Sequence, residues 1–184
     1  MIRQLWIDAL EMAAAARLSR DRAGARRMMR TDAYWLLLLF RIRRVVLSMR
    51  VPVLNRVLRM MQMVFGGVEL GNDVALGSGV YFIHSLGTVV GGTSRIGDRV
   101  RFLGCNTVGT ARDDGYPVVG DDVEIGCGAR ILGAVRIGAR AVIGANAVVI
   151  SDVPEDAVVV GAPARVVKIR GIATARPQLV RGMR

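Results

Sequence analysis

The sequence is poor in the residues that build metal centres and disulfide frameworks. Its 184 residues include two cysteines, Cys105 and Cys127, and a single histidine, His84. One imidazole and two separated thiols cannot complete a four-ligand structural zinc site, and two cysteines do not make a disulfide framework. We therefore expect no bound metal. Because both cysteines fall inside a repeating pattern described below, we interpret them as small buried hydrophobic residues.

No apolar run in the first half of the chain approaches the length of a membrane span. The run from Ala33 to Phe40 has eight apolar residues, whereas a helix needs roughly 18 to cross a bilayer. The first 20 residues carry acids and lack an apolar core followed by a cleavage site. We therefore expect a cytoplasmic protein without a secretory signal.

Aromatic residues are scarce, at 5%, while the net charge is +11. The aromatic residues do not alternate with basic ones in a stacking pattern, which argues against a nucleic-acid partner. Residues 1–65 hold 13 arginines against four acids, residues 66–164 are mildly acidic, and residues 165–184 hold six basic residues and no acid. Basic ends of this kind suit an anionic membrane surface, and solvated helix faces explain them equally well.

A six-residue period between Val119 and Val148 organises the rest of the chain. An aliphatic residue opens each block, Gly follows it in four of the five blocks, and a small or aliphatic residue recurs four places after the opening one. The blocks read VGDDVE, IGCGAR, ILGAVR, IGARAV and IGANAV. Neither a helix nor an alternating strand has this period. It predicts a coil of short parallel strands, with the aliphatic residues stacked in the core and Gly at the corners.

The same period extends toward the N-terminus with two interruptions. It begins at Leu70, slips by two residues after Phe82 and resumes at Val90. A polar insertion at residues 110–118 interrupts it again. An insertion in an otherwise strict repeat is a loop directed outward, and we expect this one on the binding face.

The period ends at Val149, and the segment that follows contains Pro154 and Pro163. Because proline donates no backbone hydrogen bond, we expect the ladder of strands to stop here and this segment to cover the last coil. The remaining basic residues are expected to form a disordered tail.

Helical patterns precede the repeats. Residues 2–18 carry apolar side chains at helical spacing, and Thr31 or Asp32 can cap a second helix. Residues 20–30, between these two segments, are interpreted as an arginine-rich connector.

A third helical segment, residues 53–65, is apolar on one side and basic on the other. This pattern predicts peripheral contact of residues 30–65 with an anionic membrane, on its inner face. Packing of the apolar side against the repeat domain or a partner subunit explains the same pattern.

His84 lies beside the first interruption of the period, in the segment YFIHSLGTVVGG. An imidazole is well suited to accept a proton near neutral pH, although a lone histidine is often structural. The segments IHSLGTVVGG, ILGAVRIGARAVIGANAVV and DVPEDAVVVGAPARVV resemble those of the hexapeptide-repeat acyltransferases. Within that group they resemble the serine acetyltransferase branch and its short relatives that acetylate sugars and capsular polysaccharides. The resemblance covers residues 70–168.

This resemblance implies a mainly β fold, a left-handed parallel β-helix with an N-terminal helical segment, and a homotrimer that binds acetyl-CoA in grooves between subunits. In that family the histidine of the H-x-x-G-x-V-V segment is the general base, so the resemblance gives His84 this role. A carboxylate in the preceding coil orients the imidazole. Glu69 stands where the family has Asp, and Asp73 is a second candidate.

A departure from the family bears on the acceptor. Serine acetyltransferases have a second histidine before the proline that ends the loop, whereas this sequence has Tyr116 before Pro117. Tyrosine donates a hydrogen bond but carries no positive charge. A saccharide hydroxyl therefore becomes about as good a candidate acceptor as L-serine. Asp113 and Asp114 complete the loop in which we expect the acceptor to bind.

The resemblance also assigns contacts to CoA, along the edge of the coil and at cations that suit its phosphates. The candidates along the edge are Gly109, Thr110, Cys127, Gly128 and Ala145. The cationic candidates are Arg140, Arg165 and Lys168, each of which is also explained as a solvated surface charge.

We therefore expect a basic helical segment at residues 1–66, a β-helix acyltransferase domain at 67–168 and a basic tail at 169–184. The leading hypothesis is an O-acetyltransferase that uses acetyl-CoA and an acceptor hydroxyl. The alternative, which a single histidine and an altered orienting carboxylate also allow, is a non-catalytic β-helix scaffold associated with the membrane surface.

Overall fold

The computed structural model describes residues 2–110 and 115–169, in which helices come first and short strands follow. The helices are α1 (Ile2–Ala15), α2 (Arg22–Met28), α3 (Asp32–Ser48) and α4 (Pro52–Gly66). The arginine-rich connector at residues 20–30 contains a helix, α2, that was not predicted. Asp21 caps that helix by accepting a hydrogen bond from the Gly24 amide at 2.8 Å, a capping signal that the sequence contains.

The strands wind into a parallel β-helix, as the hexapeptide period predicted. In chain order they are β1 (Val68–Leu70), β2 (Ala75–Leu76), β3 (Tyr81–Phe82), β4 (Thr88–Val90), β5 (Arg95–Ile96), β6 (Arg101–Phe102), β7 (Thr107–Gly109), β8 (Val118–Val119), β9 (Glu124–Ile125), β10 (Arg130–Leu132), β11 (Arg136–Ile137), β12 (Val142–Ile143), β13 (Val148–Val149), β14 (Ala157–Val160) and β15 (Arg165–Ile169). They form three sheets, in the orders β1-β4-β7-β10-β13, β2-β5-β8-β11 and β3-β6-β9-β12-β14-β15. Each of the first four turns of the coil contributes one strand to each sheet.

The aliphatic residues that open the blocks form the core. In the sheet that contains β3, Phe82 lies beside Phe102, which lies beside Ile125, and the column continues with Ile143. All four side chains are buried, and the two phenylalanine rings stack with centroids 5.0 Å apart. The hexapeptide period thus fixes which residue of each coil contacts its counterpart in the next coil.

Glycine follows the buried aliphatic residue where neighbouring coils approach most closely. A Cβ atom added at Gly126 would lie 2.6 Å from the backbone nitrogen of Ala145 in the next coil. The same corner contains Cys127, and the corner one coil earlier contains Cys105. Both cysteines are exposed, so their interpretation as buried residues was wrong: they occupy corners of the coil, where side chains point outward.

The end of the β-helix also differs from its prediction. Strand β14 pairs in parallel with β12 and so continues the ladder for another coil, and β15 then pairs antiparallel with β14. Pro154 and Pro163 lie outside both strands. Proline therefore interrupts the pairing at two corners but does not end it, and β15 is the element that covers the last coil.

Helix α3 is joined to the β-helix through a buried arginine. Arg43 is 1% exposed and donates hydrogen bonds to the Leu70 carbonyl at 3.1 Å, to Asn72 Oδ1 at 3.0 Å, and to the side chains of Asn55 and Gln62 on α4. Burial lowers the pKa of Arg43 from its ordinary value. These partners are all neutral, and each is an oxygen that accepts a hydrogen bond.

Because Asn55 and Gln62 face Arg43, helix α4 packs with its polar side inward. The two residues are buried, while the apolar residues of the helix are largely exposed. In the described part of the chain, the apolar side of residues 53–65 therefore does not pack against the repeat domain.

Alternating charges stabilise one corner of the coil. Arg99 donates two hydrogen bonds to the carboxylate of Asp122 in the next coil, at 2.7 and 2.8 Å, and Arg140 donates likewise to Asp156 at 2.9 and 2.8 Å. The hydrogen bonds from Arg99 lower the pKa of the Asp122 carboxyl. The Asp122 side chain is 43% exposed, so water screens this pair and its contribution to stability is small.

We expect Asp122→Asn to lower the free energy of unfolding by about 0.5–1 kcal/mol at pH 7. Since the folded pKa of Asp122 lies below the unfolded value of about 3.9, the stabilisation is present above that value and is lost as the pH falls through the folded pKa. Urea titrations at pH 7 and at pH 3 measure the difference. A gap between wild type and variant that stays constant or widens toward low pH would contradict the assignment.

Candidate active site

His84 lies just after β3, at the corner that leads into β4, and its side chain is exposed to solvent. The backbone on either side is fixed by the next coil: the amide of Ile83 donates to the Phe102 carbonyl at 2.9 Å, and the amide of Cys105 donates to the Leu86 carbonyl at 2.9 Å. The imidazole is therefore carried on a rigid corner rather than on a free loop.

Gly104 in the next coil leaves the space in which this corner sits. Its φ is +106°, and a Cβ atom at that position would lie 2.9 Å from His84 Cβ and 3.1 Å from the His84 carbonyl oxygen. Any side chain at position 104 would therefore push the histidine outward and would also strain the backbone.

A cleft of about 500 Å³ opens in front of His84, between this corner and the start of α3. Its lining consists of Arg30, Thr31, Asp32, Ala33, Tyr81, Phe82, Ile83, His84, Ser85 and Leu86. Thr31 is the N-cap of α3 and accepts a hydrogen bond from the Tyr34 amide at 3.4 Å, so the predicted cap is confirmed. Arg30 and Asp32 place one positive and one negative side chain at the cleft.

Arg30, Thr31, Asp32 and Ser85 were not among the site residues predicted from the sequence. The capping motif identified Thr31 as the start of a helix, but no sequence signal shows that this start lies against the coil at His84. That placement depends on how α3 docks on the β-helix. For Ser85, the only sequence signal of a place in the site is that it follows His84 directly.

Glu69, the predicted orienting carboxylate, lies on β1 beside Val89 of the next coil. Its Oε1 accepts a hydrogen bond from Arg59 of α4. Within residues 2–110 and 115–169, no hydrogen bond joins His84 to Glu69 or to Asp73, whose side chain is exposed. Glu69 thus lies in the coil that precedes His84, where its carboxylate is paired with Arg59.

The loop predicted to hold the acceptor is described only in part. Asp113 and Asp114 lie outside the described residues. Tyr116 packs its ring against Gly92, where an added Cβ would lie 1.9 Å from Tyr116 Cε1. Gly92 follows the end of β4, whereas His84 precedes its start, so Tyr116 does not line the His84 cleft of its own chain.

Three of the predicted CoA contacts lie along the same edge of the coil as His84. The Gly128 amide donates to the Gly104 carbonyl at 3.0 Å, and the Asn146 amide donates to the Cys127 carbonyl at 2.9 Å. Cys127 and Gly128 therefore lie at the corner two coils after the one that carries His84, and Ala145 lies at the corner three coils after it, with Gly104 and Cys105 at the corner between. A long ligand laid along this edge would contact each corner in turn.

The other predicted CoA contacts lie elsewhere. Gly109 and Thr110 are at the opposite edge of the sheet that contains β7, and the Thr110 hydroxyl has no hydrogen-bond partner among the described residues. Arg165 and Lys168 are exposed on β15, and no carboxylate of the described chain forms an ion pair with either.

Arg140 lies on a third corner of the coil, away from the edge that carries His84. It donates hydrogen bonds to the carboxylates of Asp156 and Glu155, which raise the pKa of its guanidinium above the ordinary value. Its side chain is 44% exposed, and a contact of Arg140 with a CoA phosphate stays a prediction.

In residues 2–110 and 115–169, no group of three or more His, Cys, Asp or Glu side chains could hold a metal ion. None of the helices within these ranges combines the length and apolar character needed to cross a bilayer.

Comparison with known proteins identifies relatives of this chain. The bacterial transferase hexapeptide family (six repeats) matches residues 116–151. A serine acetyltransferase of Synechococcus elongatus is 37% identical over 126 residues, which are 67% of this chain and 52% of that protein. A serine acetyltransferase of Helicobacter pylori is 35% identical over 134 residues, which are 71% of this chain and 78% of that protein.

Solved structures give the same result. The crystal structure of Neisseria gonorrhoeae serine acetyltransferase aligns with a TM-score of 0.79 at 31% identity, covering 91% of this chain and 67% of that one. A serine acetyltransferase in complex with CoA aligns with a TM-score of 0.77 at 31% identity, covering 90% and 68%.

The chain spans about half the length of several relatives, such as the Synechococcus elongatus protein at 52% and the Staphylococcus xylosus protein at 56%. Over the shared part, identity and fold agree, and the agreement includes most of the Helicobacter pylori protein. With its hexapeptide β-helix, its preceding helices and this level of identity, the chain belongs to the serine acetyltransferase family of hexapeptide-repeat acyltransferases.

Proposed function

We propose that this protein is an O-acetyltransferase that moves an acetyl group from acetyl-CoA to an acceptor hydroxyl. The observation that carries the proposal is the position of His84, exposed in a cleft of about 500 Å³ at one end of the edge along which Cys127, Gly128 and Ala145 follow. The CoA complex of a related serine acetyltransferase supports the donor.

In the proposed reaction His84 accepts the proton of the acceptor hydroxyl as that oxygen attacks the thioester carbonyl carbon. Acetyl-CoA supplies the acetyl group as a thioester. When the carbon–sulfur bond breaks, His84 returns the proton to the departing sulfur, so the products are an acetyl ester and free CoA. No covalent bond to the protein forms, and positioning and proton transfer are the tasks left to the side chains.

We propose Glu69 as the carboxylate that orients the imidazole. Arg59 occupies its Oε1, which leaves Oε2 to accept a hydrogen bond from the ring nitrogen that does not serve as base. Such a bond fixes the tautomer in which the catalytic nitrogen is unprotonated. Arg59 then holds the carboxylate in place.

L-Serine is our first candidate acceptor. Relatives of this chain bear the name serine acetyltransferase. The cleft also offers Arg30 to bind a carboxylate and Asp32 to bind an ammonium group. A free amino acid carries both charges, whereas a neutral sugar carries neither. A saccharide hydroxyl is the second candidate, because Tyr116 stands where the family has a histidine.

We further propose a homotrimer, with acetyl-CoA in the groove between neighbouring subunits, Arg165 and Lys168 near its phosphates, and a cytoplasmic location. Tyr116 lies away from the His84 cleft of its own chain, which fits a role for this loop in a neighbour's cleft. Gly109 and Thr110 lie at the same edge of the sheet as the loop, so they would contact the CoA that is bound beside His84 of the neighbouring subunit.

The test offers acetyl-CoA to the purified protein with L-serine or with a panel of neutral sugars and measures free CoA with a thiol reagent. We expect CoA release that depends on L-serine and follows saturation kinetics. Release with sugars alone would assign the saccharide acceptor. If no hydroxyl acceptor releases CoA above the rate of spontaneous hydrolysis, the enzyme assignment fails and the scaffold hypothesis replaces it.

A further inference from the structure

The outer face of α4 is apolar over most of its length. At 3.6 residues per turn, Val53, Val57, Met60 and Val64 share this face, and they are 73%, 48%, 58% and 73% exposed. No element within residues 2–110 and 115–169 covers them. Contiguous apolar surfaces of this kind mark contact sites, because leaving them in water is costly.

The position of Arg43 explains why the helix keeps this orientation. Asn55 and Gln62 are buried because they accept hydrogen bonds from Arg43. Turning α4 to bury its apolar side would remove two of the hydrogen-bond acceptors of a buried guanidinium, which is costly. The apolar face therefore points outward because the polar side of α4 bonds to Arg43.

The apolar surface continues to the His84 cleft. Trp35 and Leu39 of α3 form a groove of about 310 Å³ with Met61 and Phe65 of α4. Asp32 and Ser85 line both this groove and the cleft. A molecule whose apolar part rests on α4 would thus lie directly beside the catalytic histidine.

Arginines outnumber acids around this face: Asp32 lines the adjoining groove, and Glu69 is paired with Arg59. Residues 33–68 include six arginines and no acid. Four of the arginines bond within the chain, and the remaining two, Arg50 and Arg56, are exposed without an ion-pair partner in the described part of the chain. By helical spacing, Arg56 borders the apolar face next to Met60.

We infer that the apolar face of α4, flanked by Arg50 and Arg56, docks the protein on an anionic membrane surface. An apolar stripe bordered by arginine suits insertion at the boundary between lipid headgroups and acyl chains. Symmetric pairing with the same face of a second copy fits less well, because it would bring Arg50 and Arg56 of both copies together, while Glu69 is already paired with Arg59. The contact goes beyond the proposed acetyl transfer and places the His84 cleft near the bilayer.

Vesicle binding tests this inference in the absence of acetyl-CoA. The full chain is sedimented with vesicles of phosphatidylcholine alone, or of phosphatidylcholine and phosphatidylglycerol in equal parts. We expect binding to the anionic vesicles that is weaker by at least about tenfold in Val57→Glu/Val64→Glu, since two charges then enter the apolar face. Arg50→Gln and Arg56→Gln are each expected to weaken binding by about fivefold.

Ile150→Glu is the matched control, because Ile150 is an exposed apolar residue, 56% accessible, on the β-helix rather than on α4. We expect it to bind like wild type, and circular dichroism verifies that all variants fold. Equal binding by wild type and Val57→Glu/Val64→Glu would overturn the inference, since the basic C-terminal residues would then account for it. An absence of vesicle binding, with a change of oligomeric state in the same variant, would overturn it in favour of a second copy. Because these readouts need no turnover, they are independent of the outcome of the CoA-release assay.

Discussion

Replacing His84 with alanine is expected to lower the rate of acetyl transfer by at least about 100-fold, the usual size of a general-base contribution. His84 is the only histidine in the chain, so no second imidazole can replace it. Its side chain is exposed at the cleft, and alanine leaves the hydrogen bonds of the neighbouring backbone unchanged. The loss should therefore appear in kcat, with the affinity for CoA retained.

Steady-state assays of CoA release measure the rate, and calorimetric titration with CoA measures binding. Leu86→Ala serves as a control, because Leu86 lines the same cleft and is 72% exposed but carries no proton. We expect its rate to stay within about tenfold of wild type, well short of the effect of removing a general base. Free imidazole added to His84→Ala should restore part of the rate. An unchanged rate in His84→Ala would remove the histidine from the mechanism, and a loss of CoA binding would show that the residue positions the donor instead.

Much of the β-helix was predictable because each residue of the repeat has one environment. A residue at the opening position always faces the core, as Phe102, Ile125 and Ile143 do, so a period of six specifies both the strands and their neighbours. A local signal also located the start of α3, where Thr31, one of the two predicted caps, accepts the hydrogen bond, whereas the Asp21 cap of α2 was overlooked.

The predictions that failed depended on position within the coil or on distant contacts. Cys105 and Cys127 lie in the repeat, but their corner positions point outward. The apolar stripe of α4 allowed both membrane contact and packing against the repeat domain or a partner subunit. The contact between Arg43 and the polar side of that helix sets its orientation, with Asn55 and Gln62 inward.

The site residues likewise fall into those that the repeat pattern reveals and those that depend on tertiary contacts. His84 and the corners that follow it could be found from the repeat and the family resemblance. Arg30 and Asp32 could not, since they reach the cleft only through the docking of α3 against the coil. Side chains brought together by tertiary contacts between unlike elements leave no periodic trace in a sequence.

Asp8→Ala is expected to have the largest effect on stability, because this carboxylate joins three elements. Asp8 of α1 is 1% exposed and accepts two hydrogen bonds from Arg41 of α3, both at 3.0 Å, and another from the Gly79 amide of the first coil at 3.2 Å. Arg41 in turn donates to the Leu76 and Gly77 carbonyls, at 2.8 and 2.6 Å. Removing the carboxylate leaves a largely buried guanidinium without its counter-charge, which costs about 3–5 kcal/mol.

Urea denaturation at pH 7 and matched protein concentration, monitored by circular dichroism, measures this loss of stability. Asp73→Ala is the control, because its carboxylate is exposed and no described residue bonds to it; a surface change of this kind is expected to stay within about 0.5 kcal/mol. Asp8→Asn keeps an acceptor for Arg41 but loses the charge, so it should fall between the two. Helix α1 packs closely against the first coil at Gly79, because an added Cβ there would lie 2.3 Å from Glu11 Cβ and 2.5 Å from the Glu11 carbonyl carbon. If Asp8→Ala unfolds at the same urea concentration as wild type, α1 contributes little to the fold and docks by its apolar contacts alone.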